Sequence, residues 1–144
     1  MLKPKKIIIN INKLSSTINR VLHEMATNEY WGYTLMLDCS DCSAAVKDPE
    51  IIRKFSDTLV KRIEMVPFGP PQIVRFGEGH LAGITLMQLI ETSNINCHFC
   101  DEPASMYLDL FSCKNYNIQD VIDTVKKYFN PQKIRVNYIT RHAN

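Results

Sequence analysis

Four short segments rich in β-branched and aromatic residues follow one another in the second half of the chain, with only brief connections between them. They span residues 72–76, 83–91, 95–99 and 105–111. Parallel strands need a crossover of a dozen or more residues, whereas antiparallel strands can be joined by a short turn. The spacing of these segments therefore predicts antiparallel pairing.

Two segments with apolar residues at helical spacing flank these strands. The first follows Asp48, a residue suited to cap a helix, with Pro49 in the first turn, and it ends near Met65. The second follows Asn117 and stops at Asn130, which precedes a proline. Further strands are predicted at 30–38 and 133–139. The order of elements predicts an α+β fold, a two-layer α/β sandwich with helices on one face of a mainly antiparallel sheet.

The length of 144 residues fits one domain. We expect this domain to span 31–144, preceded by an N-terminal extension, 1–30, with a short strand at 6–11 and a helix at 12–25. Residues 1–20 carry five positive charges and no acid, but no aromatic or glycine-rich pattern accompanies them, so no nucleic-acid partner is predicted. No apolar run approaches the ~20 residues that span a bilayer, and no membrane partner is predicted.

The five cysteines favour reduced thiols in the cytoplasm, because the sequence does not predict a secretory signal peptide. Two pairs, Cys39-x-x-Cys42 and Cys97-x-x-Cys100, could in principle supply four thiolates to zinc. However, Cys97 and Cys100 surround a predicted strand, and no glycine opens either pair. The sequence therefore disfavours zinc, and we predict no metal site.

A hydroxyl, an imidazole and a thiol lie close together in the sequence, at Ser93, His98 and Cys113. Such groups can act as a nucleophile and as acid–base catalysts. Residues five apart on a regular strand point to opposite faces, so Ser93 and His98 can share a site only if the chain turns or bulges near 92–94. The alternative is structural, with His98 hydrogen-bonded in the core and Cys113 packed as a small apolar residue.

The sequence around these three residues resembles the bacterial and archaeal S-adenosylmethionine decarboxylases, small pyruvoyl enzymes of polyamine synthesis. The resemblance runs from about Tyr33 to Arg141 and is strongest from 93–99 through 107–113, where a histidine follows the serine by five residues and a cysteine follows an apolar strand. The helix at 117–129 and the residues after it also look like the family's C-terminal end.

The resemblance implies that Ser93 attacks the carbonyl of the preceding residue, cleaves the Thr92–Ser93 bond and becomes a pyruvoyl group. The pyruvoyl ketone would combine with the amine of a small-molecule substrate and accept the electrons released when carbon dioxide leaves. His98 would act in the self-cleavage, and Cys113 would return a proton to the substrate carbon. The resemblance also implies a homodimer with the site near the subunit interface.

The resemblance to the family also suggests which residues bind the substrate. Phe76 is the candidate for stacking on adenine. The family has glutamate before the serine and histidine after it, whereas this chain has Thr92 and Asn94. Glu91, one place early, is the candidate for the substrate contact of that glutamate. Glu102 could bind an amine or be solvated in a turn. These departures leave two alternatives open: a relative that decarboxylates ornithine or arginine, and an unprocessed homologue that binds a ligand or partner without chemistry.

Overall fold

A computed structural model describes residues 30–143 of the chain, so the strand predicted at 6–11 and the helix predicted at 12–25 lie outside the described residues. The described part contains six strands and two α-helices. In chain order they are β1 Gly32–Ser40, α1 Pro49–Arg62, β2 Gln72–Phe76, β3 Gly83–Ile90, β4 Ser93–Cys100, β5 Ser105–Ser112, α2 Ile118–Phe129 and β6 Lys133–Arg141.

The six strands form one sheet in the order β2-β3-β4-β5-β1-β6, and every neighbouring pair is antiparallel. Short turns join β2 through β5 as successive neighbours, as their spacing in the sequence predicts. β1 lies inside the sheet because Leu35 pairs with Leu110 of β5 on one side and with Tyr138 of β6 on the other. The predicted α+β class with an antiparallel sheet is confirmed.

Both helices pack on one face of the sheet. The ring of Phe129 in α2 lies 4.9 Å from that of Phe55 in α1 and 5.1 Å from that of Phe99 in β4, measured between centroids. Alternate strand residues are buried against this layer, and the residues between them point to the other side, which we call the open face. None of the helices among the described residues has the length and hydrophobicity of a membrane-spanning segment.

Most strand boundaries differ from the predicted ones by one or two residues, and two differences have a clear structural cause. Helix α1 ends at Arg62 instead of near Met65, because Glu64 takes a positive φ of 55° and turns the chain out of the helix. Strand β4 begins at Ser93 instead of residue 95, because Ser93 already pairs with Ile90 of β3. The second difference decides where the candidate site lies.

The N-terminus of α1 offers a direct test of the predicted cap. The Asp48 side chain accepts hydrogen bonds from the backbone N–H groups of Glu50 and Ile51 at 2.8 and 3.2 Å. We expect Asp48→Ala to lower the free energy of unfolding by about 1 kcal/mol in urea denaturation. The matched control is Asp57→Ala, at an exposed position of the same helix; an equal loss in both variants would contradict the capping role.

Candidate functional site

Strands β3 and β4 form a hairpin whose turn consists of Glu91 and Thr92, with Ile90 paired to Ser93. Ser93 is half-buried and has a φ of 150°, in a region that residues other than glycine rarely adopt. Holding a non-glycine residue in such a conformation costs about 1–3 kcal/mol and is typical of functional sites. The strain is therefore located at the bond that the sequence predicts to be cleaved.

The turn is held in place by its neighbours on two sides. The backbone N–H of Cys113 donates a hydrogen bond of 3.2 Å to the carbonyl oxygen of Thr92. The Thr92 hydroxyl accepts a hydrogen bond from the Ser112 hydroxyl at 3.0 Å and donates one to the Met65 sulfur at 3.2 Å. We call Thr92, Ser93, Ser112 and Cys113 the hairpin cluster. Its central feature is a donor directed at the carbonyl of the predicted scissile bond.

The register of the sheet explains how Cys113 reaches the turn. Ser112, the last residue of β5, pairs with Ser93 on one side and with Tyr33 of β1 on the other. Gly32 lets β1 approach closely here, since a Cβ at this position would lie 2.6 Å from the Ser112 carbonyl oxygen and 3.1 Å from the Cys113 Cα. A side chain at residue 32 would therefore push Cys113 out of position.

The segment that follows Cys113 is fixed by a buried tyrosine pair. The Tyr33 hydroxyl donates to the Tyr116 carbonyl and accepts from the Tyr116 N–H, each at 2.8 Å, and the two rings stack with centroids 4.4 Å apart. Burial raises the pKa of Tyr33 well above its ordinary value, so the phenol stays protonated. The short connection that carries Cys113 is thus ordered at both of its ends.

His98 lies on the open face with two partners. Its Nδ1 is 3.1 Å from the Thr85 hydroxyl, and its ring stacks on Phe76 with centroids 4.8 Å apart and planes 27° apart. We call Phe76, Thr85 and His98 the His98 cluster. Sequence reasoning selected Phe76 and His98 but missed Thr85, which pairs with His98 only through the β3–β4 register.

The structure does not bring Ser93 and His98 together within one chain. The predicted break occurs at the Glu91–Thr92 turn, before Ser93, and β4 then runs without interruption to Cys100. Five residues of a strand span about 16 Å. The asparagines that suggested a break fit the strand, because the Asn96 amide donates to the Asn94 side-chain oxygen at 3.0 Å. The hairpin cluster and the His98 cluster are thus separate half-sites.

The two predicted carboxylate contacts lie apart as well. Glu91 is exposed in the β3–β4 turn, next to Thr92, while Glu102 is exposed in the turn that follows β4, beyond its other end. Asp101 of that second turn forms an ion pair with Arg75 of β2. Glu91 therefore neighbours the hairpin cluster, whereas Glu102 lies on the side of the His98 cluster.

Comparisons with known proteins identify the family of the chain. A family model described as S-adenosylmethionine decarboxylase matches residues 33–142, which is most of the chain. The chain belongs to the S-adenosylmethionine decarboxylase family. Its fold is similar to the crystal structure of the adenosylmethionine decarboxylase from Aquifex aeolicus VF5, with a TM-score of 0.67 and 20% identity over 81% of this chain and 95% of that chain. No curated relative matches the chain.

The enzymes of this family are pyruvoyl-dependent. The cysteine beside Ser93 differs from the other cysteines in its exposure. All five cysteines are free thiols. Burial raises the pKa of Cys39 to about 12 and that of Cys42 to about 11, and it raises the pKa of Cys97 further above its ordinary value. Cys113 is exposed and Cys100 is half-buried. Within residues 30–143 no group of three or more histidine, cysteine or acidic side chains is arranged to hold a metal ion.

Alkylation should therefore distinguish Cys113 from the buried thiols, because the thiolate is the reactive species and must be accessible. In the folded Ser93→Ala variant we expect iodoacetamide to label Cys113 first, and Cys39 and Cys97 only after unfolding. Peptide mapping by mass spectrometry over time gives the order. Labelling of Cys97 as fast as that of Cys113 in the folded protein would contradict the described burial.

Proposed function

We propose that this chain is a self-processing, pyruvoyl-dependent decarboxylase of S-adenosylmethionine that acts in polyamine (spermidine) synthesis. The observation that carries the proposal is the N–H of Cys113, 3.2 Å from the carbonyl oxygen of Thr92 and next to the strained Ser93. This donor is directed at the carbonyl that Ser93 has to attack. The free thiols of all five cysteines support a cytoplasmic location.

The proposed cleavage uses these contacts. The Ser93 hydroxyl attacks the carbonyl carbon of Thr92, and the N–H of Cys113 stabilises the negative charge that develops on the oxygen. The C–N bond breaks, its nitrogen takes a proton, and Thr92 becomes the acyl group of an ester. Loss of the Ser93 Cα proton eliminates Thr92 as a carboxylate and leaves dehydroalanine. Addition of water and release of ammonia then give the pyruvoyl group.

The residues around Ser93 fit that group. The pyruvoyl ketone supplies an electron acceptor for the carbon dioxide loss. Ser93 is half-buried at a strand end, where Ser112 and Cys113 border it, and the exposed thiol of Cys113 can deliver a proton to a substrate attached at residue 93. The contacts of Thr92 with Ser112 and Met65 hold the new C-terminus beside the site.

The base for the cleavage has to come from elsewhere. The Asn94 amide nitrogen donates a hydrogen bond to the Ser93 hydroxyl at 3.2 Å, and an amide N–H₂ cannot accept the proton that Ser93 loses. His98 of the same chain is about 16 Å further along β4. We therefore propose a homodimer in which His98 of the partner subunit faces Ser93. A two-fold axis would then form two equivalent sites.

The open face supports such a dimer. Several large apolar side chains on or beside it are 39–61% exposed, which is unusual for a surface that stays in water. They are Val74, Met87, Leu89, Tyr107, Ile139 and Trp31. Pairing two open faces would cover these side chains and bring the β3–β4 turn of each chain towards the His98 cluster of the other. The partner's His98 would reach the Ser93 hydroxyl around the end of β4, on the side where Asn94 contacts it.

Intact mass tests the self-cleavage directly. We expect the purified wild-type protein to yield two fragments, residues 1–92 and 93–144, with the second fragment lighter than an unmodified chain because Ser93 has become pyruvoyl. The Ser93→Ala variant should stay intact, because it lacks the attacking hydroxyl. Thr58→Ala is a matched control, since it removes a hydroxyl on α1 away from the hairpin and should leave cleavage unchanged.

A single intact mass after prolonged incubation of the wild-type protein would overturn the pyruvoyl proposal and favour a ligand-binding homologue without chemistry. If cleavage occurs, release of labelled carbon dioxide identifies the substrate. We expect release from S-adenosylmethionine and none from ornithine or arginine. Release from either amino acid instead would show that the chain is a relative that decarboxylates ornithine or arginine.

Complementation tests the contribution of the second chain. Ser93→Ala keeps the histidine and lacks the nucleophile, whereas His98→Ala keeps the nucleophile and lacks the histidine. We expect each variant alone to remain intact, and co-expression to restore cleavage in the His98→Ala chains only. Mass spectrometry separates the two variants. Absence of cleavage in the mixture, with mixed dimers present, would show that His98 does not act across the interface.

The control for this experiment is His80→Ala, which removes another exposed histidine, in the loop between β2 and β3. It should cleave like the wild-type protein. If His98→Ala also cleaved alone at the wild-type rate, His98 would have no part in processing.

A further inference from the structure

A chain of hydrogen bonds runs through the hairpin cluster in one direction. The backbone N–H of Lys114 donates to the Ser112 hydroxyl at 2.9 Å, and the Ser112 hydroxyl donates to the Thr92 hydroxyl at 3.0 Å. The Thr92 hydroxyl in turn donates to the Met65 sulfur at 3.2 Å. A backbone N–H can only donate, and a thioether sulfur can only accept. The two ends of the chain therefore fix the direction in which both hydroxyl groups point.

The end of α1 joins the two ends of this chain. The Lys114 ammonium donates to the carbonyl of Glu64 at 2.6 Å, and Glu64 directly precedes Met65. Ser112 is fully buried, and Met65 is buried as well. The contacts thus form a closed ring that ties the end of β5, the end of α1 and the β3–β4 turn together. Rotating a hydroxyl out of the ring would leave a buried polar group without a partner, which is costly.

This ring and the Cys113 N–H hold Thr92 at two places. The side chain of Thr92 is bonded to Ser112, and its carbonyl oxygen accepts from the N–H of Cys113 at 3.2 Å. That carbonyl belongs to the peptide plane between Thr92 and Ser93, and the φ of Ser93 measures how this plane is rotated about the next bond. Releasing either contact would let the plane rotate, so that Ser93 could leave its disfavoured φ of 150°. The Ser112 hydroxyl therefore bears on the strain at the bond that we propose to be cleaved.

We infer that Ser112 is a positioning residue for the self-cleavage. Through the Thr92 hydroxyl, Ser112 keeps the Thr92 carbonyl against the N–H of Cys113 and keeps Ser93 in its strained conformation. Ser112 acts through Thr92 and takes no chemical step itself. The inference rests on the proposed function, because it concerns cleavage of the Thr92–Ser93 bond.

The main rival explanation is that Ser112 only closes the turn after β5, through the hydrogen bond that it accepts from the Lys114 N–H. Thr92→Val separates the two roles, because it replaces the Thr92 hydroxyl by a methyl group and leaves the bond between Ser112 and Lys114 in place. If Ser112 positions the carbonyl, Ser112→Ala and Thr92→Val should affect cleavage alike. If Ser112 only closes the turn, Thr92→Val should have no effect.

The experiment follows the intact mass of newly synthesised protein over time in a cell-free translation. We expect Ser112→Ala and Thr92→Val each to slow cleavage about tenfold, the effect of one lost buried hydrogen bond. The double variant should be no slower than either single variant, because both substitutions remove the same contact. Thr92→Ser keeps the hydroxyl and should cleave faster than Thr92→Val.

Ser105→Ala is the matched control. Ser105 is the first residue of β5, it is buried, and its hydroxyl has no hydrogen-bond partner among the described residues. The variant therefore removes a buried serine hydroxyl from the same strand, away from the hairpin, and should cleave at the wild-type rate. Slowing by Ser112→Ala without slowing by Thr92→Val would overturn the inference, and so would wild-type rates in both variants.

Amide hydrogen exchange in the unprocessed Ser93→Ala protein tests the same contact without the reaction. We expect Thr92→Val to speed exchange of the Cys113 amide about tenfold, because the carbonyl that accepts its hydrogen bond is no longer held. Ser105→Ala should leave this exchange unchanged. Unchanged Cys113 exchange in Thr92→Val would contradict the positioning role.

The two readouts also separate this inference from the proposed function. Failure of the wild-type chain to cleave itself would overturn the proposed function. The exchange of the Cys113 amide would still decide whether Ser112 and Thr92 hold the carbonyl, since it is measured on unprocessed protein.

Discussion

The hydrogen bond from the N–H of Cys113 to the carbonyl of Thr92 joins the end of β5 to the β3–β4 turn. Residues outside the hairpin cluster position Cys113 for this hydrogen bond. Gly32 allows β1 to approach the end of β5, and Tyr33 fixes the connection after Cys113 by its two hydrogen bonds to Tyr116. One donor thus polarises the bond that we propose to be cleaved, and the same residue has an exposed thiol beside that bond.

The length of β4 imposes a second constraint. A straight strand keeps its two ends apart, so Ser93 and His98 cannot meet in one chain. Antiparallel pairing of the strand with β3 and β5 on both sides leaves no room for a bulge that would shorten the distance. Because Ser93 and His98 are too far apart to form a site within one subunit, we propose a site between two subunits. One subunit would provide Ser93 and the other would provide His98.

Much of the fold could be predicted from the sequence because its signals are local. The cap at Asp48 and the short connections between strands act over a few residues. The relation of Thr85 to His98 spans thirteen residues and depends on the register, which the two-residue turn at 91–92 sets. The proximity of Trp31 and Arg141 is harder still to predict, because these residues lie at opposite ends of the domain and meet only through the pairing of β1 with β6.

The charges near Ser93 bear on the choice of substrate. Thr92 replaces the family's glutamate, and its hydroxyl is engaged by Ser112 and Met65, so it offers no negative charge to a ligand. The cation next to the hairpin cluster is Lys114, which follows Cys113 and whose ammonium donates to the Glu64 carbonyl. Ornithine, arginine and S-adenosylmethionine, the last through its sulfonium, would each bring an additional cationic group towards this charge, so repulsion acts on all three alike. What distinguishes S-adenosylmethionine from the two amino acids is its adenosyl group, a planar surface on which an aromatic side chain can stack.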